Sequence, residues 1–155
     1  MKTQRAKVLF ICIGNSCRSP MAEAIARKDA PDLMDASSAG LAPLGFVADM
    51  TTETLLKNGY ATDGLTSKPI LPEAWESADI VINMSGRERE FAFRGFRGHA
   101  KVEDWQIEDP YGDATKYQGT FESIQRRVAE LARRLKEKSA LPDKVNADTA
   151  RNVRS

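Results

Sequence analysis

Residues 8–20 read Val-Leu-Phe-Ile-Cys-Ile-Gly-Asn-Ser-Cys-Arg-Ser-Pro, and no other stretch of the chain restricts its fold as tightly. Val8 to Ile11 form a short, unbroken run of large and β-branched apolar residues. Such a run suits a strand covered on both faces. Gly14 and Asn15 follow, the residue types that best tolerate left-handed backbone. Ser19 is a good helix N-cap and Pro20 a good first helical residue, so a helix is predicted to start there. A strand that turns directly into a helix aims several backbone N–H groups and the positive helix end at one point. That point is an anion site, and phosphate is its natural occupant.

The side chains in the same stretch add chemistry. Cys12 stands at the end of the strand, among the inward amides and close to Arg18 in sequence. These surroundings favour the thiolate, the nucleophilic form. Arg18 offers a planar, permanently charged fork for two phosphate oxygens. Ser19 is placed to donate its hydroxyl proton to the Cys12 sulfur. The expected phosphate cradle is Ile13, Gly14, Asn15, Ser16, Cys17, Arg18 and Ser19. Cys17 has two open readings: a buried loop residue, or a partner for a reversible disulfide with Cys12 under oxidation.

The rest of the chain alternates strand and helix. A helix from Met21 stops at Ala30-Pro31-Asp32, and a second strand, Leu33 to Ala39, closes at Gly40. Glu23 is either a brace for the loop or a solvated acid of the first turn. A loop with Pro43 and Gly45 leads to a short helix through Leu55 and Leu56 that stops at Gly59. Lys68 reads as a surface lysine, with a buried charge as the alternative, and Leu71 to Glu76 as a helical turn. Asp79 to Met84 is a third, nearly all-apolar strand. Ser85 is expected to cap a helix to about Arg94, with Phe91 on its buried face and arginines in solvent. Ala100 to Trp105 gives a fourth strand. A last helix starts at Gly119 or Thr120, with a core stripe of Phe121, Ile124, Val128, Leu131 and Leu135. The stripe is lost after Lys138. The reading is one domain over 1–138 and a flexible C-terminal tail over 139–155. Alternation of this kind predicts an α/β fold: a parallel, doubly wound sheet with helices on both faces and the phosphate-binding loop after the first strand.

Composition narrows the function classes. The chain has 155 residues and a formal net charge of +1, which gives no general attraction to nucleic acid or anionic membrane. No apolar run approaches a membrane span, and the polar start lacks the apolar segment of a secretory signal, so a cytoplasmic location is expected. Two cysteines and one histidine make neither a disulfide framework nor a metal-ligand cluster, and no cofactor is expected.

The string Cys-Ile-Gly-Asn-Ser-Cys-Arg-Ser-Pro-Met-Ala-Glu from Cys12 to Glu23, set after an apolar strand, resembles the phosphate-binding loop of the low-molecular-weight protein tyrosine phosphatase family. That superfamily also holds the thioredoxin-coupled arsenate reductases. The resemblance covers roughly Lys7 to Lys136 and implies four strands. Asp109-Pro110-Tyr111 is similar to the family's general-acid loop, which implies that Asp109 is the acid and Tyr111 a pocket wall. The proline after Asp109 restrains it to extended backbone. Ser38 resembles the serine that supports the loop from the neighbouring strand. The implied activity is hydrolysis of phosphorylated protein or peptide side chains, phosphotyrosine first, through a phosphocysteine on Cys12. Two alternatives stand beside it. Small Ser16 suits phosphoarginine, and Ser16 with the Leu41 to Lys68 region resembles the reductases. The segment Asn83 to Ala92 carries no cysteine, so arsenate reduction would use an external thiol or Cys17.

Overall fold

β1 (Ala6–Cys12) is buried from Val8 to Cys12, as its unbroken apolar run requires. The computed structural model describes residues 5–153, with side chains through residue 139. β1 pairs in parallel with β2 (Met34–Gly40) on one side and β3 (Ile80–Asn83) on the other. β4 (Lys101–Asp104) adds in parallel to β3, so the order is β2-β1-β3-β4. This is the predicted four-stranded parallel α/β sheet.

Alternate residues of β1 face two cores. Val8, Phe10 and Cys12 pack with helix α1 (Arg18–Asp29) and helix α5 (Tyr117–Val153). Leu9 and Ile11 pack with Trp75 of helix α3 (Pro72–Ser77) and with Phe93. Helix α2 (Asp49–Lys57) closes the first core through Leu55 and ends before Gly59, whose φ of +87° suits glycine. Alanines 22, 24 and 26 are buried, and their small side chains let α1 pack closely within the first core. On α5, Phe121, Ile124, Val128 and Leu131 are buried and Leu135 packs against them, as their spacing predicts. Each fully buried side chain of this size contributes about 1.5–3 kcal/mol.

Three local expectations need correction. Helix α1 begins at Arg18, with Cys17 in the N-cap position, because the Cys17 carbonyl already accepts from Met21 N–H. Ser19 is thus inside the helix and its hydroxyl is free for another partner. Pro20 still sits in the first turn, where no N–H is needed. After β3 the chain makes a turn at Gly86 (φ +81°), so the following helix, α4, spans only Arg89–Ala92. Ser85 caps the turn instead of a helix. Phe91 is 69% exposed, while Phe93 is buried against Trp75. The short helix ends before a second turn, so Phe93 is the ring that meets the core. Finally, α5 starts at Tyr117, two or three residues before the expected Gly119 or Thr120. Beyond residue 139 the side chains of the expected tail lie outside the described residues.

Candidate active site

The connection from Cys12 to Arg18 lies at the carboxyl end of the central strand, where open α/β sheets bind ligands. Its main chain faces two ways. The carbonyls of Cys12, Ile13, Gly14 and Ser16 accept from Leu41, Ala42, Leu44 and Ala48 N–H at 2.8–3.1 Å. Gly14 O also accepts from Ser67 Oγ and Ser16 O from Thr51 Oγ1. With the carbonyls tied outward, the N–H groups turn inward. Those of residues 13–19 donate to no described residue. Buried N–H groups are rarely left without an acceptor. A ring of them beside a helix N-terminus is a cradle for an anion.

Asn15 takes the strain of this loop, at φ 48°, the left-handed position among its non-glycine residues. Gly14 is not left-handed. It is small because Leu44 crosses it: a Cβ there would lie 3.0 Å from Leu44 Cγ. Gly40 has a similar reason. A Cβ would lie 2.7 Å from Ile13 O and 2.9 Å from Asn15 N, so β2 ends in glycine to let the loop backbone pass.

A chain of hydrogen bonds leads away from Cys12. The Ser19 hydroxyl lies 2.9 Å from the Cys12 sulfur. Asn15 Nδ2 donates to Ser19 Oγ at 2.7 Å and to Ser38 Oγ at 3.1 Å. Ser38 Oγ donates to Glu23, which pairs with Arg27. Lys68 N–H donates to Asn15 Oδ1 at 2.9 Å. Asn15 supplies both amide protons and Ser38 gives its own to the carboxylate, while the Ser19 hydroxyl has two acceptors in reach, the Cys12 sulfur at 2.9 Å and the Ala39 carbonyl at 3.4 Å, of which the sulfur is the nearer. Ser38 lies on β2, one hydrogen bond from Asn15 of the loop. Glu23 is 2% exposed and braces the loop, so the solvated reading of this acid is excluded. Lys68 is half-buried and not a plain surface lysine. Desolvation lowers its pKa, and the Glu23 carboxylate acts against that shift.

Arg18 is 5% exposed. Its Nη1 donates to Met84 O and, at 3.2 Å, to Ile107 O. Its Nη2 is 3.5 Å from Asp109 Oδ2, which brings the predicted acid to the predicted cradle. Its Nε and the Ser16 hydroxyl are buried without a partner among the described residues. Asp109 is half-exposed and accepts from Tyr111 N–H at 3.2 Å, while Pro110 is buried and pins the loop. Tyr111 is 52% exposed, with its ring open to solvent. Cys17 turns away from the loop, its sulfur 3.2 Å from Tyr117 OH. Burial pushes the Cys17 thiol up from its ordinary range, and burial followed by the Cys17 contact does the same to Tyr117.

The site so built can seat a tetrahedral oxyanion against the Cys12 sulfur, with a carboxyl at its edge. Among the described residues, no three His, Cys, Asp or Glu side chains come together as a metal site. The groove of about 680 Å³ between Gly40, Leu41, Ile70 and Phe91 is not lined by Cys12, Arg18 or Asp109. Sequence reading missed Gly40, Thr51, Ser67 and the carbonyls of Met84 and Ile107. Gly40 alone left a signal, as a glycine ending a strand.

Residues 7–141 match the family described as low molecular weight phosphotyrosine protein phosphatase. A protein-arginine-phosphatase of Bacillus subtilis (strain 168) is 30% identical over 147 residues, covering 83% of this chain and 96% of the relative. The low molecular weight protein-tyrosine-phosphatase PtpB of Staphylococcus aureus is 30% identical over 134 residues, covering 81% and 96%. A solved structure of an arsenate reductase in the phosphate binding state is 28% identical, with a TM-score of 0.73 over 84% of this chain and 98% of that one.

Proposed function

The chain belongs to the low-molecular-weight phosphotyrosine protein phosphatase family, and from that premise we propose that it hydrolyses phosphorylated protein side chains, phosphotyrosine first, through a phosphocysteine on Cys12. The observation that supports this most is the set of N–H groups of residues 13–19, without acceptors among the described residues, at the helix end beside the Cys12 sulfur.

In this reading the Cys12 thiolate attacks phosphorus in line with the leaving oxygen. A P–S bond forms and the P–O bond breaks. The loop N–H groups and the Nε and Nη2 of Arg18 take the equatorial oxygens. Protonated Asp109 donates to the departing oxygen. The Ser19 hydroxyl, aimed at sulfur, stabilises the thiolate before attack and again when sulfur leaves. Water then attacks the phosphocysteine while Asp109 accepts its proton, and inorganic phosphate departs. A reducing, cytoplasmic setting suits this chemistry, because the nucleophile must stay a thiol.

One observation favours a second reading, phosphoarginine. The Ser16 hydroxyl is buried in the cradle with no partner among the described residues, a small polar group that would suit a nitrogen-linked phosphoryl. The arginine phosphatase relative points the same way.

Steady-state hydrolysis of p-nitrophenyl phosphate under reducing conditions tests the class. Turnover is expected in the wild type, inhibited by phosphate and abolished in Cys12→Ser. Phosphotyrosine and phosphoarginine peptides then separate the two substrate readings. No turnover in folded protein, with arsenate reduced in the presence of an added dithiol, would overturn the proposal.

A further inference from the structure

Asn83, the last residue of β3, is 3% exposed and uses its whole hydrogen-bonding capacity. Its Oδ1 accepts from Ser85 N–H at 3.1 Å and from Ser85 Oγ at 2.6 Å. Its Nδ2 donates to Arg87 O and to Asp104 Oδ1, both at 2.9 Å. Its main-chain carbonyl accepts from Trp105 N–H at 3.0 Å. Ser85 Oγ also accepts from Arg87 N–H at 3.0 Å, which closes the turn. One amide therefore shapes the turn after β3 and joins it to the end of β4.

Between Asn83 and Ser85 stands Met84. Its N–H donates to Ile11 O at 2.7 Å, and its carbonyl accepts from Arg18 Nη1. The other acceptor of that Nη1 is Ile107 O. Ile107 lies three residues beyond Asp104, whose carboxylate the Asn83 amide holds, and two beyond Trp105, which the Asn83 main chain holds. Both carbonyls that occupy Nη1 thus stand on chain that Asn83 fixes. The opposite edge of the guanidinium is left over. Its Nε has no described partner, and its Nη2 has only Asp109 at 3.5 Å. Two parallel N–H groups on one edge match two oxygens of a phosphoryl group.

We propose that Asn83 is a positioning residue for Arg18: it sets the two carbonyls that hold Nη1 and so aims the Nε–Nη2 edge at the bound phosphoryl group. The inference rests on reading the loop as a phosphate site. Its local pattern gave no hint of the role, since Asn83 reads as the end of an apolar strand.

The test is a double-mutant cycle on the binding of inorganic phosphate, measured by calorimetry. Its members are wild type, Asn83→Ala, Arg18→Lys and the combined variant, with melting temperatures alongside. A misaimed fork weakens phosphate binding in Asn83→Ala up to about a hundredfold. In the Arg18→Lys background the same change has no effect, because an ammonium presents no fork to aim. Ser85→Ala, which removes two contacts of the turn, gives a smaller loss of the same kind and serves if Asn83→Ala fails to fold. Wild-type affinity in Asn83→Ala, or an equal loss in both backgrounds, overturns the proposal. A wild type that binds phosphate without hydrolysing any ester overturns the phosphatase reading, and the cycle then decides the role of Asn83 separately. A wild type that binds no phosphate overturns both.

Discussion

The Ser19 hydroxyl stands 2.9 Å from the Cys12 sulfur, and Asn15, which donates to it, also donates to the serine of the neighbouring strand. The Ser19 proton is thereby within reach of the sulfur before any substrate arrives. Ser19→Ala removes it. A hydrogen bond to a charged group contributes about 1.5–3 kcal/mol, so kcat should fall roughly ten- to a hundredfold. The fall should appear in kcat more than in KM, since the cradle itself is untouched. Unchanged kcat would remove Ser19 from the mechanism.

Gly40, at the end of β2, lies against the Ile13 carbonyl of the loop, with no room for a methyl group. Gly40→Ala should shift the loop and cost about 1–3 kcal/mol of stability, the usual range for overpacking. Urea unfolding measures the loss. Phosphate affinity should drop with it, because the backbone that would move is the cradle. Full affinity with full stability would show that the loop has slack here.

Asp109 is exposed, on a loop pinned by buried Pro110, with one oxygen facing Arg18. Asp109→Ala should lower kcat roughly 10²- to 10⁴-fold, the range of general acid–base catalysis. Phosphate binding should persist, since Arg18 keeps its carbonyl anchors. A variant that turns over at the wild-type rate would transfer the acid role elsewhere.

The sheet edge carries an acid-sensitive tie. Glu103 on β4 takes both Arg134 guanidinium nitrogens of α5 at 2.9 Å, and this contact holds its carboxyl below the ordinary glutamate range. A depressed folded value means that the contribution is present above the unfolded value and is lost as pH falls through the folded one. Glu103→Gln should therefore destabilise at pH 7 and make no difference once the wild-type carboxyl is protonated. Both side chains are partly exposed, so the effect should stay below about 1 kcal/mol. Urea midpoints at pH 7 and pH 3 check it, and an equal difference at both would refute the assignment.

The sequence by itself determined the parts whose information is local. An unbroken apolar run made β1, helical spacing made the stripe of α5, and the order of residues from Cys12 to Ser19 placed a thiol, backbone amides and an arginine within one short loop of chain. Backbone torsion and side-chain periodicity decide such features over a few residues, so they can be read along the chain. Asp109 was legible only beside that loop, because an Asp-Pro pair alone is a turn signal.

Tertiary structure decided what depends on segments brought together by the parallel crossovers. Glu23 is a buried brace because Ser38 of β2 meets it, and Gly40 must be glycine because the loop backbone crosses it. Arg18 is held by carbonyls 66 and 89 residues away. Phe91 is in solvent and Phe93 in the core because a four-residue helix ends before a turn. Hydrogen bonding and close packing act over ångströms in space, and which segments come within that range is a property of the assembled sheet.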